Sequence, residues 1–286
     1  LARTPEGPPP PPVVQRLRIR WAKRGRLRFT SHRDFQRAFE RALRRANVPV
    51  AYSAGFSPHP KISYAGAAPT GTASEAEYVE VGLQERVELE PVRAALDAAL
   101  APGLDILEIV EAAPGALADR LEASHWRIEL PGVGVGVAEA AAEAFLVAPE
   151  VKVERLTKDG VRTFDARGAV ARLGVLDGSA RGPLDDSARG PLDDSARGPL
   201  DAPGAQREGR EGPCAILDVV VRHGIPTVRP DDVLSGLRSV ADLVPPEPPR
   251  AVRLAQGPLD EATGIVGDPL AHDRDAVGAS GIPSTA

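Results

Sequence analysis

Two stretches of the chain hold residue types that could do chemistry. The first is Tyr52-Ser-Ala-Gly-Phe-Ser-Pro-His-Pro-Lys61, which gathers aromatic rings, an imidazole and an ammonium in one short segment. Gly55 permits close backbone approach, and Pro58 and Pro60 hold His59 in a stiff, extended frame. Tyr52, Phe56 and, just beyond, Tyr64 have faces on which bases stack, while His59 and Lys61 are suited to phosphate. The competing reading is a turn whose aromatics plug the core. The second stretch runs from Ser31 to Arg45. Arg33, Arg37, Arg41 and Arg45 recur every four residues, which makes them one ridge on a helix. Like charges at that spacing cost ~0.2–0.5 kcal/mol per pair, so such a ridge is not optimised for stability alone. Ser31-His32 stands at the helix start, where free N–H groups and the helix dipole favour an anion; a hydrogen-bonded cap is the alternative. An imidazole titrates near neutrality, so His32 and His59 also admit metal-independent acid/base cleavage of RNA, although the sequence does not place them within reach of each other. A metal held by His32, His59, Glu75 and Glu77 is disfavoured because the set holds no short-spaced histidine or cysteine ligand pair.

The charge distribution separates these stretches from the rest. The net charge is −5, which alone argues against a nucleic-acid partner. Between Arg16 and Lys61, however, thirteen basic residues meet only Asp34 and Glu40, a local excess of eleven positive charges. That polarity is the footprint of a polyanion partner. An acidic protein surface or a solvated basic face in an arginine-biased composition are the other readings. Cys214 is the only cysteine, too few for an intramolecular disulfide, a structural zinc site or an iron–sulfur cluster. No apolar run is long enough to span a membrane and no signal sequence follows the start, so a cytoplasmic location is expected. The chain opens on Leu1 and has no Met, as a literally translated alternative start codon or a fragment would.

The elements that must position these residues follow from periodicity. Residues 1–15, with prolines from Pro8 to Pro12, read as a tail. Leu17, Ile19 and Trp21 alternate with Arg16, Arg18 and Arg20, the signature of a half-buried strand, and the alternation resumes at Leu27 and Phe29. Ser31 caps a helix with Asp34 at the capping-box position, and Phe35, Ala38, Phe39, Ala42, Leu43 and Ala46 form its apolar stripe. Strands follow near 50–52 and 61–65, or one strand interrupted by a loop, and at 77–83, then a helix over 90–101 entered through Pro91, and a strand over 104–110. The order βαββαβ over residues 16–115 is the ferredoxin-like split motif. A second, weaker α+β cycle spans 122–256: a strand at 126–130, a helix at 137–148, a strand or hairpin at 151–164, a strand at 216–222, a helix at 230–240 and a strand at 251–255. It is interrupted at 174–213 by three copies of an octapeptide close to DSARGPLD. Eight residues with Gly-Pro in each copy cannot stack as a solenoid, so a flexible insertion is expected. Residues 257–286 lack periodicity and are expected to be disordered.

Phe29-Thr-Ser-His-Arg-Asp34, Arg37-Ala-Phe-Glu-Arg-Ala-Leu-Arg-Arg45, the 52–63 segment and Ala73-Ser-Glu-Ala-Glu-Tyr78 together resemble the radical-SAM-associated family of bacterial proteins, a domain of unknown function. The specific resemblance covers about residues 16–115. Arg33 stands where the family pattern has Leu, and Ala54 and Ser57 lie where it has Gln and Asn nearby, which leaves the ligand contacts of the loop open. The resemblance implies an accessory module: some members are fused behind a radical SAM domain, and others stand alone near genes for such an enzyme and for a ribonuclease of the E/G type. S-adenosylmethionine and an iron–sulfur cluster are then expected only on a partner enzyme.

The sequence is thus read as an α+β protein, a basic ferredoxin-like domain followed by a related one with a disordered insertion. Its expected role is to bind RNA, tRNA or rRNA, and present it to a separate radical SAM enzyme, with no catalysis of its own. Arg26, Arg28, Arg37, Arg41 and Arg45 would hold the backbone, Ser31 and His32 an anion, and Tyr52, Phe56, His59 and Lys61 a nucleotide. The alternatives are a ribonuclease using His32 and His59, and a protein–protein adaptor docking through the basic helix.

Overall fold

A computed structural model describes residues 10–158, 160–178 and 212–279. In the first half the chain runs β1 (Gln15–Lys23), α1 (His32–Arg45), β2 (Ile62–Ala65), β3 (Ala73–Leu83), α2 (Leu89–Ala99) and β4 (Leu104–Glu111). The strands lie in the order β4-β1-β3-β2 and each neighbouring pair is antiparallel, as the ferredoxin-like motif requires. The two periodicities meet at the core. Leu17, Ile19 and Trp21 of β1 project to the same face as the α1 stripe of Phe35, Phe39, Ala42 and Leu43, and all are buried. Trp21 stacks on Phe35 with ring centroids 3.5 Å apart. Ser31 caps α1 as its position predicts, its Oγ accepting the Asp34 N–H at 3.2 Å. Asn47, in a left-handed conformation at φ 52°, ends the run.

The second half repeats the plan: β5 (Ala123–Pro131), α3 (Val135–Val147), β8 (Val170–Asp177), β9 (Cys214–Arg222), α4 (Pro230–Ala241) and β10 (Arg250–Gly257), with a hairpin of β6 (Lys152–Thr157) and β7 (Gly160–Asp165) between α3 and β8. Its strand order, β10-β5-β9-β8, is the same permutation as in the first half. The halves are not separate bodies joined by a linker. β10 pairs in parallel with the start of β3, through Val252–Ala73 and Arg253–Ser74, which fuses both into one eight-stranded sheet. Helices α1 to α4 cover one face of it. The seam holds a buried ionic knot. Arg253 pairs with Glu77, donates to Ser74 Oγ at 3.2 Å and to the Gly66 carbonyl at 2.6 Å, and lies over Trp126. Lys23, also buried, donates to the carbonyls of Ala68 and Pro69 at 3.0 and 2.9 Å.

Four expectations are corrected. Gly25–Phe29 is a 3-10 helix, not a continued strand: Gly25 adopts a left-handed φ of 52°, and Arg24 N–H bonds the Gly103 carbonyl at 2.8 Å, which turns the chain off the sheet edge. The N-terminal tail is shorter than expected, because Gln15 belongs to β1 and Val14 N–H bonds the Leu83 carbonyl. β8 continues to Asp177, so residues 174–177 are strand; the repeats from 179 to 211 lie outside the described residues. Residues 258–279 are ordered, with a small hairpin of β11 (Leu259–Asp260) and β12 (Ile265–Val266) and helix α5 (Ala271–Ala279) on the sheet face opposite α1 to α4. Polar contacts hold this segment where apolar periodicity is lacking. Asp273, fully buried, accepts from Arg18 at 2.6 Å, Arg120 at 2.9 Å and Ala113 N–H at 2.9 Å, beside the buried Leu270.

Candidate nucleic-acid interface

The arginines of the basic stretch divide by structural role. Those of the first strand are consumed internally. Arg16 and Arg18 share Glu80, at 2.6 and 3.0 Å, and the fully buried Arg18 continues to Asp273 and the Gly115 carbonyl. Arg20 donates to the Glu75 carbonyl, and Arg24 pairs with Glu75 and Asp105. The positive charge counted between Arg16 and Arg24 is therefore largely matched from outside that window, by Glu75 and Glu80 of β3, Asp105 of β4 and Asp273 of α5. A cavity of about 540 Å³ between this strand and the loop 112–118 is lined by Arg16, Arg18 and Glu80 of these pairs, together with Tyr64. Glu75 and Glu77, weighed as metal ligands, are likewise occupied by Arg24 and Arg253. Among the described residues no group of three or more His, Cys, Asp and Glu side chains is placed to hold a metal ion.

The arginines of α1 behave oppositely. Arg33, Arg37, Arg41, Arg44 and Arg45 are all exposed, and among the described residues none forms an ion pair. At 100° per residue, Arg33, Arg37, Arg41 and Arg44 fall within about 80° of arc opposite the buried stripe, and Arg45 lies at its margin. Arg44 was missed as a site residue in the sequence reading. Its signal was present, since it follows Arg37 by seven residues and so shares its face. The helix extends about 21 Å at 1.5 Å per residue, so the basic strip is a linear feature and not a point.

Aromatic residues flank both ends of this strip. At its start the 3-10 helix carries the exposed Arg26 and Phe29, with the Arg28 guanidinium 4.8 Å from the Phe29 ring centre. Beside its C-terminal half stands the predicted loop. Tyr52 and Pro60 pair across its base, Ser53 N–H bonds the His59 carbonyl at 2.8 Å, and His59 N–H bonds Ser53 Oγ at 3.0 Å. These bonds fix a narrow hairpin whose tip is Ala54–Ser57, with Gly55 at φ 135°. Phe56 is 71% exposed and Tyr52 41%, and His59 and Lys61 are exposed. The reading in which these rings plug the core fails for Phe56. A small groove of about 130 Å³ runs between α1 and the loop, bounded by Glu40, Arg44, Tyr52 and Pro60, and so brings Tyr52 beside the basic helix.

Three candidates are placed differently. Tyr64 is half-buried against the core, edge-on to Phe35 and Phe39 with ring centres 6.1 and 6.4 Å away; its buried hydroxyl lacks a partner among the described residues, and burial pushes its phenol up. Ser31 Oγ is engaged by Asp34, whose carboxylate at the helix start opposes an incoming anion. His32 contacts Gln36 at 3.0 Å and lies edge-on to Tyr64, and no hydrogen bond or ring contact among the described residues links it to His59. Elsewhere, His125 bonds Asp218 at 2.7 Å, and His223 bonds Ser124 and the Leu121 carbonyl at 2.7 Å each.

The structure thus defines a tandem ferredoxin-like α+β protein with an unneutralised arginine helix and an aromatic hairpin beside it. Residues 16–230 match a family described as an uncharacterized protein conserved in bacteria, DUF2344, and the chain belongs to that family. The match covers the whole first half and the second as far as the first residue of α4. No curated protein matches the chain. No helix among the described residues is long and apolar enough to cross a membrane.

Proposed function

We propose that the protein is an RNA-binding accessory module, with tRNA or rRNA as its substrate class, that presents RNA to a separate radical SAM enzyme. One observation carries the reading. Arg16, Arg18, Arg20, Arg24 and Arg253 are each matched to an acid or a carbonyl, whereas among the described residues the five on α1 form no ion pair and lie exposed next to two exposed aromatic rings. Guanidinium groups on a ridge release counterions when they meet a phosphate backbone, and a base stacked on Phe56 or Tyr52 adds ~1–3 kcal/mol without sequence preference. In this reading the radical SAM partner, suggested by the family resemblance, carries S-adenosylmethionine and the iron–sulfur cluster, and a ribonuclease of the E/G type is a further partner. The test is ultraviolet crosslinking of the purified protein to tRNA and rRNA, followed by peptide mapping. Crosslinks on the 52–61 hairpin are expected. Crosslinks confined to other segments, or none, would overturn the reading and turn the basic helix over to an acidic protein partner.

A further inference from the structure

On the sheet face opposite α1 to α4, the second half carries a charged cluster unrelated to the basic helix. β5 and β9 turn Trp126, Ile128, Leu217 and Val219 toward the helices, so the alternate residues face the other way. There Asp218 of β9 stands directly across from Arg127 of β5 and from Gly174 of β8. Its Oδ1 takes hydrogen bonds from His125 Nε2 at 2.7 Å and Arg172 Nη2 at 3.0 Å. Burial pushes the Asp218 carboxyl up, but the His125 hydrogen bond and the charges of His125, Arg172 and Arg127 outweigh it and hold the group below the usual carboxylate range.

The cluster is short of negative charge. One carboxylate serves two guanidinium groups and an imidazole. The neighbouring ions are matched elsewhere, Arg222 to Glu261 and Arg250 to Glu129. Arg127 has no hydrogen bond among the described residues, and the Nε atoms of Arg127 and Arg172 are both buried without an acceptor. Buried donors lacking an acceptor cost ~1–3 kcal/mol each, more when charged, so an unfilled pair marks a place for a ligand. The space is present too. A Cβ on Gly174, beside Asp218, would meet nothing within 4 Å. On one side Gly264, at the turn of the β11–β12 hairpin, abuts the Arg172 stem and forms a wall.

We infer that this face binds a phosphoryl group, seated over Gly174 on the guanidinium groups of Arg127 and Arg172, beside the imidazole of His125. A phosphoryl group suits the pair because its oxygens match two planar guanidinium forks, and its negative charge offsets the excess left once Asp218 has been counted. The site lies on the opposite side of the sheet from α1 and does not rest on the RNA reading.

The experiment follows the imidazole resonances of the full chain by NMR while inorganic pyrophosphate, or in a second series a short 5′-phosphorylated RNA oligonucleotide, is added. A saturable shift of His125 is expected, weakened about 10-fold or more in Arg127→Gln and in Arg172→Gln and unchanged in Arg250→Gln. Arg127 has no hydrogen bond to lose, so Arg127→Gln carries the test should Arg172→Gln fail to fold. Binding of pyrophosphate assigns the site to small phosphates. Binding of the oligonucleotide alone assigns it to a nucleic-acid terminus. No saturable His125 shift with either probe, or an unaltered shift in Arg127→Gln, overturns the proposal. Neutralising Arg37, Arg41 and Arg45 should leave the His125 response intact.

Discussion

Replacing Asp273 by Ala should destabilise the protein far more than its place near the end of the chain suggests. The carboxylate is fully buried and receives three hydrogen bonds, from Arg18, Arg120 and the Ala113 amide. Truncation leaves the fully buried Arg18 guanidinium short of one ionic partner and the Ala113 N–H without an acceptor. Breaking a buried pair from one side costs ~3–5 kcal/mol. Arg18 keeps Glu80 and the Gly115 carbonyl, and α5 can peel away to admit water, so the lower end, about 3 kcal/mol, is expected. Urea unfolding read by far-ultraviolet circular dichroism measures the loss, and hydrogen exchange should show α5 unprotected. Arg18→Met with Asp273→Leu removes the buried pair while Glu80 retains Arg16, and should recover part of the loss, since Arg120 and the Ala113 N–H still lack the Asp273 acceptor. A loss under ~1 kcal/mol for Asp273→Ala, with α5 still protected, would refute the view that this ionic clip pins the C-terminal helix.

Three further outcomes follow from the structure. His223 is held below its ordinary value chiefly by burial, with the Leu121 carbonyl opposing this and the Arg253 charge assisting it; the unfolded chain therefore binds the extra proton, and stability should fall as the pH drops below about 6.5 toward the folded-state value. His223→Gln should flatten that decline in urea titrations between pH 7.5 and 5. Asp177 and Ala215 are antiparallel partners, so residues 179–213 can be replaced by Asn-Gly as a two-residue hairpin turn, with a melting temperature within a few degrees of the parent protein by calorimetry. Phe56→Ala should change stability by less than ~0.5 kcal/mol, because the ring is 71% exposed, yet weaken RNA binding by ~1–3 kcal/mol in filter-binding assays.

The fold of the first half was legible because both of its signals are local. The alternation of Leu17, Ile19 and Trp21 and the stripe from Phe35 to Leu43 each specify an element within a dozen residues, and their apolar faces have one way to meet. A loop near 52–61 was legible from its prolines and glycine, but its closure into a hairpin through Tyr52–Pro60 and Ser53–His59 was not, and the strand expected at 50–52 is only a pair of isolated bridges. What escaped was everything fixed by distant charge. Arg18 shows the same polar phase as Arg16, but it is buried because Asp273 lies 255 positions away. Likewise His125 finds Asp218 across 93 residues. The ordered segment 258–279 has no apolar period because ion pairs and one leucine hold it, and no window of sequence reports such partners. The parallel pairing of β10 with β3 was hidden for a similar reason: two residue pairs form it, and a buried Arg253–Glu77 contact secures it.

The central claim is that the unpaired arginines of α1 meet a nucleic-acid backbone, and the salt dependence of RNA affinity tests it most directly. Binding of tRNA and rRNA should be measured from low to physiological ionic strength for the parent protein and for Arg37→Ala/Arg41→Ala/Arg45→Ala. The account predicts a steep linear fall of log affinity with log salt, and a slope shallower by about 2 in the variant, as ~0.7–0.9 per lost phosphate contact requires. Equal slopes, or no binding of the parent protein at low salt, would contradict it.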